Sequence, residues 1–454
     1  MTTSYDVRFW DIRRNASSKT PSYVTRWKVG PKEKSKTFRT KALAENFVSD
    51  LRQAAKRGEA FDLGTGLPES MAMPADTGPT FFEFAQSYMA SRWVHTAART
   101  RETMTYALLS LVPALVRDVP GRPDDEDLRA VLREYAFLPA KRRGELRPEH
   151  KVASGWLEAA SLPLGDLAEP AVIRTALDAI ALRFDGEPAA ANTVRRKRAV
   201  LHHMMESAVE LKRLSANPLH AVKWKPPKAV GAVDPRTVIS PVQARALLDA
   251  VKLVGRTRGA RMMAMFACIY YAALRPEEAA GLRRQNCDLP ADGWGLITLE
   301  KARPQANKRW TDSGETHDER GLKHRARDDT REIPIPPVLV AVLRQHIDSH
   351  DTAKDGRLFR TSKGRPFSSS AYSAVWREAR RLAFTAEQVA SPLAARPYDL
   401  RHAAVSLWLN AGVPPTEVAQ RAGHGVDVLL RVYAKCIDGQ RAQVNGQISK
   451  ALET

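Results

Sequence analysis

Two interruptions of hydrophobic periodicity constrain this chain more than any other feature. Residues 61–79 turn rich in Gly, Pro and Met with no sustained period, and residues 223–236, KWKPPKAVGAVDPR, carry three prolines and one glycine. Proline fixes φ and removes a backbone donor, and glycine is entropically costly to order, so both stretches read as linkers. They divide the chain into 1–60, 80–222 and 237–454. Each piece suits one hydrophobic core, whereas 454 residues exceed the roughly 250–300 at which a single core stops growing.

The three pieces differ in pattern. SYDVRFWDI, PSYVTRWKV and KSKTFRT are short, β-branched or aromatic, and separated by Asn-Ala-Ser-Ser and Gly-Pro, which predicts a three-stranded meander. A helix over about 41–57 would lay Leu43, Phe47, Leu51 and Ala55 on one sheet face. The middle piece is all helical: residues 80–93, 101–116, 125–138, 170–184 and 192–214 show helix spacing, with Asn192 as the N-cap of the last. The third piece mixes helices near 241–252 and 257–273 with strand-like GWGLITLE and REIPIP, then helices to the end.

Charge narrows the partner. Lys and Arg number 71 against 51 Asp and Glu, a net +20, and residues 1–57 alone hold 14 against 5. Such an excess points to a polyanion, with nucleic acid favoured because no basic amphipathic anchor is evident. Arg8, Arg26, Lys28, Lys36 and Arg39, interleaved with Trp10, Trp27 and Phe38, are candidate DNA contacts, as are Arg195, Arg196, Lys197 and Arg198 in TVRRKRAVLHHMM. Cys268, Cys287 and Cys436 are far apart, and His202 and His203 point to different helix faces, so neither a disulfide framework nor a metal site is expected. P-loop, GxGxxG and HExxH patterns are missing, so no cofactor is expected. No apolar run approaches the ~20 residues of a membrane span, and a cytoplasmic, nucleoid-associated protein is expected.

Three fragments of the third piece carry chemistry. AALRPEEAAGL puts Arg275 at a helix start. RPYDLRHAAVSLWLNAG puts Arg401 on the first turn of a helix marked by Leu400, Ala404, Leu407 and Ala411 and stopped by Gly412. In RAGHGVDVLLRVYAK, His424 follows Gly423 and Tyr433 lies nine residues beyond it. Breaking a phosphodiester builds negative charge on the non-bridging oxygens, which planar guanidiniums meet bidentately. A phenol, with its ordinary pKa of about 10, needs a positive surrounding or a base to become a nucleophile.

This order and spacing closely resembles the tyrosine recombinase family, the phage-type integrases, over about 236–454. The resemblance implies a multidomain protein: an arm-binding sheet plus helix (1–60), an all-α core-binding clamp (80–222), and a mainly α catalytic domain with a small sheet (237–454). It implies that Arg275 and Arg401 bind one DNA phosphate, that His424 bonds a non-bridging oxygen or manages the tyrosine proton, and that Tyr433 attacks to give a 3′-phosphotyrosyl ester. Lys323, upstream of Arg331 in GLKHRARDDTREIPIP, would protonate the leaving 5′-oxygen, with Lys308 and Lys301 as rivals. Tyr398 stands where the family usually has His, and is expected to orient and not to shuttle protons. His402 is expected to make a structural hydrogen bond. The implied function is a site-specific recombinase that integrates, and with a partner excises, a mobile element. The implied partners are duplex attachment sites, a homotetramer on DNA, an excisionase and a DNA-bending host factor. A type IB topoisomerase and a catalytically silent DNA-binding regulator are the competing readings.

Overall fold

Buried apolar side chains gather into three clusters in the computed structural model, which describes residues 3–15, 22–72, 78–228, 231–323, 329–436 and 441–452. The first cluster joins a sheet to the Lys41–Lys56 helix. Ser22–Val29 is the central strand, with Lys32–Phe38 on one side and two short strands, Val7–Phe9 and Arg13–Asn15, on the other. Of the expected first strand, residues 4–12, only Val7–Phe9 joins this sheet, and Arg13–Asn15 adds a strand after it. Phe9 pairs with Trp27 but Arg13 with Val24, a one-residue change of register that marks a bulge.

Alternation along the central strand sorts its side chains. Thr25, Trp27 and Val29 are buried under the helix, and Arg26 and Lys28 take the other face. The helix turns Ala44, Phe47, Val48, Leu51 and Ala54 inward, and Leu43 is exposed. A strict step of four drifts about 40° per step around a 3.6-residue helix, so the predicted stripe holds only in its middle. The 61–79 linker is also shorter than expected. Phe61–Asp62 pairs with Thr3–Ser4, Phe61 is fully buried, and Trp27 Nε1 donates to Gly66 O at 2.5 Å, so residues 61–72 pack on this module.

The second cluster is helical: Phe81–Arg92, Ala98–Leu111, Asp125–Val131, Pro148–Ala160, Pro170–Ala181 and Ala191–Glu210. Pro148–Ala160 was not expected; its stripe of Ala153, Trp156, Leu157 and Ala160 is half alanine, so the period is faint in the sequence. Asn192 is not the cap of the last helix, which starts at Ala191 behind Ala190 with no side-chain cap bond.

The third cluster is built around Ala260–Tyr271, apolar on every side and buried from Met262 to Tyr270. It packs against Pro241–Leu253, Pro337–His350 and Asp399–Asn410. A three-stranded antiparallel sheet, in the order Arg331–Ile335, Gly295–Leu299, Cys287–Asp288, closes one side. Between the paired Lys301–Ala302 and Arg320–Gly321 the chain makes an excursion that buries Ala306 and Trp310 in the helical core. Arg101, from that core, donates to both oxygens of Asp312 at 2.8 and 3.0 Å and to Trp310 O at 2.8 Å. A cleft of about 850 Å³ between the two regions is lined by Arg99, Arg303, Lys308, Arg320 and Lys323.

Candidate active site

The site begins where the central helix ends. Ala273 has a left-handed backbone, φ 48°, although it is not glycine, and its carbonyl accepts a hydrogen bond from Arg401 Nη1. Arg275 then precedes the Pro276–Gly281 helix, with Pro276 at the first helical position. Glu278 accepts from the Arg275 backbone N–H at 2.8 Å and from its Nη1 at 2.6 Å. The same carboxylate accepts both Nη groups of Arg331, at 3.0 and 2.7 Å, from the first residue of the Arg331–Ile335 strand. Burial alone would raise the Glu278 pKa, but Arg331 and Arg275 overcome it and hold the group at about 2.

A second fixture is the C-terminus of the Pro415–Ala422 helix. Gly423 is left-handed, φ 65°; its N–H donates to Gln420 O and the N–H of His424 to Ala419 O, closing a Schellman motif. Ala422 O then accepts from Arg401 Nη2, and Gly423 O from Arg275 Nη2 at 2.6 Å. Carbonyls at a helix C-terminus carry partial negative charge and suit guanidiniums. A Cβ at 423 would lie 2.0 Å from Arg331 Nη1, so glycine is required by space as well as by φ.

Three guanidiniums are therefore buried around one carboxylate: Arg275, Arg331 and Arg401 are 7%, 2% and 0% exposed. Arg396, which pairs with Asp399 at 3.2 Å, is exposed and stands apart. Arg331 Nε, Arg401 Nε and His424 Nδ1 are buried without a hydrogen-bond partner among the described residues. Donors left over in a cluster with excess positive charge suit an anion with several acceptor oxygens.

Tyr433, at the end of the Val426–Tyr433 helix, is fully buried, and its hydroxyl lies 2.9 Å from His402 Nδ1. His402, expected to make a structural hydrogen bond, makes its bond to the hydroxyl of the candidate nucleophile, one turn beyond Tyr398 on the Asp399–Asn410 helix. The Tyr433 and His424 rings are 6.1 Å apart and the Tyr398 and His402 rings 5.1 Å. Burial pushes the Tyr433 phenol well above its usual value, against the pull of Arg401. Burial first, then Arg396 and Arg401, lowers His402 to about 4; burial, then Arg401, Arg275 and Arg331, lowers His424 to about 3. Without an anion both rings are neutral at pH 7 and Tyr433 is a phenol. With the His402 proton on Nε2, its Nδ1 accepts from the Tyr433 hydroxyl.

Arg275, Tyr398, Arg401, His424 and Tyr433 are brought together; Lys323 is exposed on the wall of the cleft, which also takes in Pro276 and Glu277, the two residues after Arg275. Its rival Lys308 lines the same cleft, and Lys301 pairs with Glu319 at 2.8 Å. Sequence reasoning left Glu278 and Arg331 without roles, although a carboxylate three residues after Arg275 and an arginine opening an R-x-I-P strand were both legible.

Of the other candidate DNA contacts, Arg8 lies opposite Lys28 across the sheet, on the outward face with Arg26, whose guanidinium sits 5.6 Å from the Trp10 ring. Arg39 is exposed beyond the strand. Lys36 is opposite Thr25 and reaches the Phe47 ring, which places it on the helix side. Trp27 and Phe38 also belong to that side, leaving Trp10 as the aromatic of the outward face. Arg195 and Arg196 are exposed, and Arg198 lies 5.2 Å from the Trp224 ring. Lys197 turns inward, donating to Ser110 Oγ at 2.8 Å and Leu182 O at 3.0 Å, so it braces the helical core and does not face DNA.

Residues 237–438 match the model of the phage integrase family. The chain is 22% identical over 255 residues to the prophage phiRv2 integrase of Mycobacterium tuberculosis, in strains CDC 1551 / Oshkosh and ATCC 25618 / H37Rv. That match covers 56% of this chain and 61% of the relative, so the chain spans about three fifths of the length of the curated relatives it matches. Similar solved structures include the Tn1549 transposon integrase in complex with a circular intermediate DNA (15% identity, TM-score 0.48, 68% of this chain and 96% of that one). Another is a lambda integrase dimer bound to a COC′ core site (11%, 0.47, 76% and 95%). No helix among the described residues is long and apolar enough to cross a membrane.

Proposed function

We propose that the chain is a site-specific DNA recombinase of the integrase type, cleaving and rejoining strands through a 3′-phosphotyrosyl intermediate to integrate, and with a partner excise, a mobile element. The observation that carries this reading is the cluster of three buried guanidiniums around Glu278, beside the Tyr433 hydroxyl. A DNA phosphate supplies the anion the cluster lacks. Tyr433 Oη attacks phosphorus and its proton passes to His402 Nδ1; the P–O5′ bond breaks, and the 5′-oxygen takes a proton from a lysine, for which Lys323 is the candidate. Arg275 and Arg401 hold the non-bridging oxygens, His424 bonds one of them, and Tyr398 orients. The phosphate's negative charge favours imidazolium, so the substrate itself raises the basicity of His402 and His424. Reverse attack by another 5′-hydroxyl restores a phosphodiester and consumes no nucleotide.

In this reading residues 1–72 bind accessory arm sites, the helical region and catalytic domain close on the duplex across the cationic cleft, and four protomers assemble on two attachment sites. An excisionase and a DNA-bending host factor complete the set of partners. The test is covalent trapping on nicked duplexes from the junctions of the element that carries the gene. Wild type should leave a protein–DNA adduct on a denaturing gel and Tyr433→Phe none; binding without an adduct in either would favour a silent DNA-binding regulator. Efficient relaxation of a plasmid that lacks the junction sequences would favour a topoisomerase.

A further inference from the structure

His202, Glu206 and His220 form a second chemical cluster, remote in sequence from the catalytic residues. His202 and Glu206 are one turn apart on the Ala191–Glu210 helix, and His220 ends the Pro218–His220 turn that follows. His202 Nε2 lies 3.3 Å from His220 Nε2 and 3.6 Å from Glu206 Oε1, and His220 Nε2 lies 4.0 Å from the same oxygen. A triangle with these sides has a centre about 2.1 Å from each corner, the length of a zinc–imidazole or zinc–carboxylate bond.

We propose that these three side chains bind a divalent transition metal of the zinc class, with water in the fourth position. Two imidazole nitrogens facing each other at hydrogen-bond distance put two lone pairs on one point once each ring carries its proton on Nδ1, and a dication satisfies both together. Asn217, 5% exposed, donates from Nδ2 to Glu206 Oε1 at 2.6 Å and to His202 O at 3.3 Å, while its Oδ1 accepts from Leu219 N at 3.1 Å. One amide thereby fixes the carboxylate, the helix and the turn that carries His220. The side chains are 32%, 46% and 65% exposed, which leaves the fourth corner open to water. His203, adjacent in sequence, points to another face of the helix; the helical neighbour at i+4 and the turn after the helix supply the set.

The ion fastens the helix bearing Arg195 and Arg196 to the root of the 223–236 connection, and so stiffens the joint between the helical region and the catalytic domain. The test is a titration of full-length, metal-stripped protein with Co²⁺, read by the visible absorption of the four-coordinate ion, then displacement by Zn²⁺. Wild type and His203→Ala should bind one equivalent, and His220→Ala and Glu206→Gln at least ~100-fold more weakly. Chelation should lower the melting temperature of wild type but not of His220→Ala. Glu206→Gln is nearly isosteric at an exposed position, so its fold is expected to survive, with circular dichroism as the check. Failure of wild type to bind at micromolar metal would overturn the proposal, and so would full binding by either ligand variant.

Discussion

The basic residues of the outward face of the N-terminal sheet and those of the catalytic pocket are chemically alike and physically opposite. Arg8 is exposed, Arg26 and Lys28 are half-buried, and Arg26 is paired with Glu33 at 2.9 Å near the surface. Such charges keep their hydration and act at a distance that salt shortens to about 10 Å at 0.1 M. Arg275, Arg331 and Arg401 have given up their water for Glu278 and main-chain carbonyls, so their geometry is set before substrate arrives. Under the proposed function, the first arrangement gathers a polyanion without choosing a bond. Under the same reading, the second places donors around one phosphate.

Substitutions at the two sites should therefore fail differently. Arg401→Ala removes a buried fork and should slow single-turnover cleavage by about 10³–10⁵-fold. Arg401→Lys keeps the charge but cannot reach Ala273 O and Ala422 O together, so it should recover little of that loss. His402→Ala should cost about 10²–10⁴-fold in adduct formation with DNA affinity unchanged. A substrate with sulfur in place of the bridging 5′-oxygen separates the proton steps, because a thiolate leaves without a proton. It should rescue Lys323→Ala and leave His402→Ala slow; rescue of both would remove His402 from the role of proton acceptor. Tyr398→Phe should cost less than Arg401→Ala, and equal losses would count against an orienting role. Deleting residues 1–57 should flatten log K against log salt by about 0.9 for each phosphate that the module neutralises, with cleavage of a minimal core site retained. An unchanged slope would erase the difference between the two regions.

The pocket histidines add a pH test with a definite sign. In the unfolded chain they take up protons near 6.5; in the folded, DNA-free protein His402 does so only near 4 and His424 near 3. Stability should be full above about pH 6.5 and fall as pH drops through 6.5 towards 4, by up to ~1.4 kcal/mol per unit for each histidine. His346, held at about 4 mainly by burial, slopes the same way, so the readout is the difference between wild type and His402→Gln in melts at several pH values. Saturating DNA should shrink that difference, because the phosphate restores the charged rings.

The legible parts of this protein are those that local chemistry sets. The helix from Asp399, the strand at Arg331 and the nine-residue step from His424 to Tyr433 rest on periodicity, turn residues and motif spacing, all local. What escaped depends on the third dimension. Lys197 sits among outward-facing arginines in sequence, yet the helix turns it onto Ser110 Oγ and Leu182 O. His402 meets a hydroxyl 31 residues away, and Trp310 leaves the catalytic sheet to fill the helical core. The short first strand hid a bulge because a shift of register leaves no mark in composition. Tyr398 and Tyr433 are the sharpest case, since both are tyrosines of one pocket and, among the described residues, only the second is hydrogen-bonded to a candidate base.

That pair sets the decisive measurement. Wild-type protein would be trapped on a nicked junction duplex, the adduct digested with protease and nuclease, and the nucleotide-bearing peptide sequenced by mass spectrometry. The phosphate should be found on Tyr433, linked to the 3′ end of the nucleotide. A nucleotide on Tyr398, or linkage through a 5′ phosphate, would contradict the assignment of the nucleophile and the direction of attack derived from it.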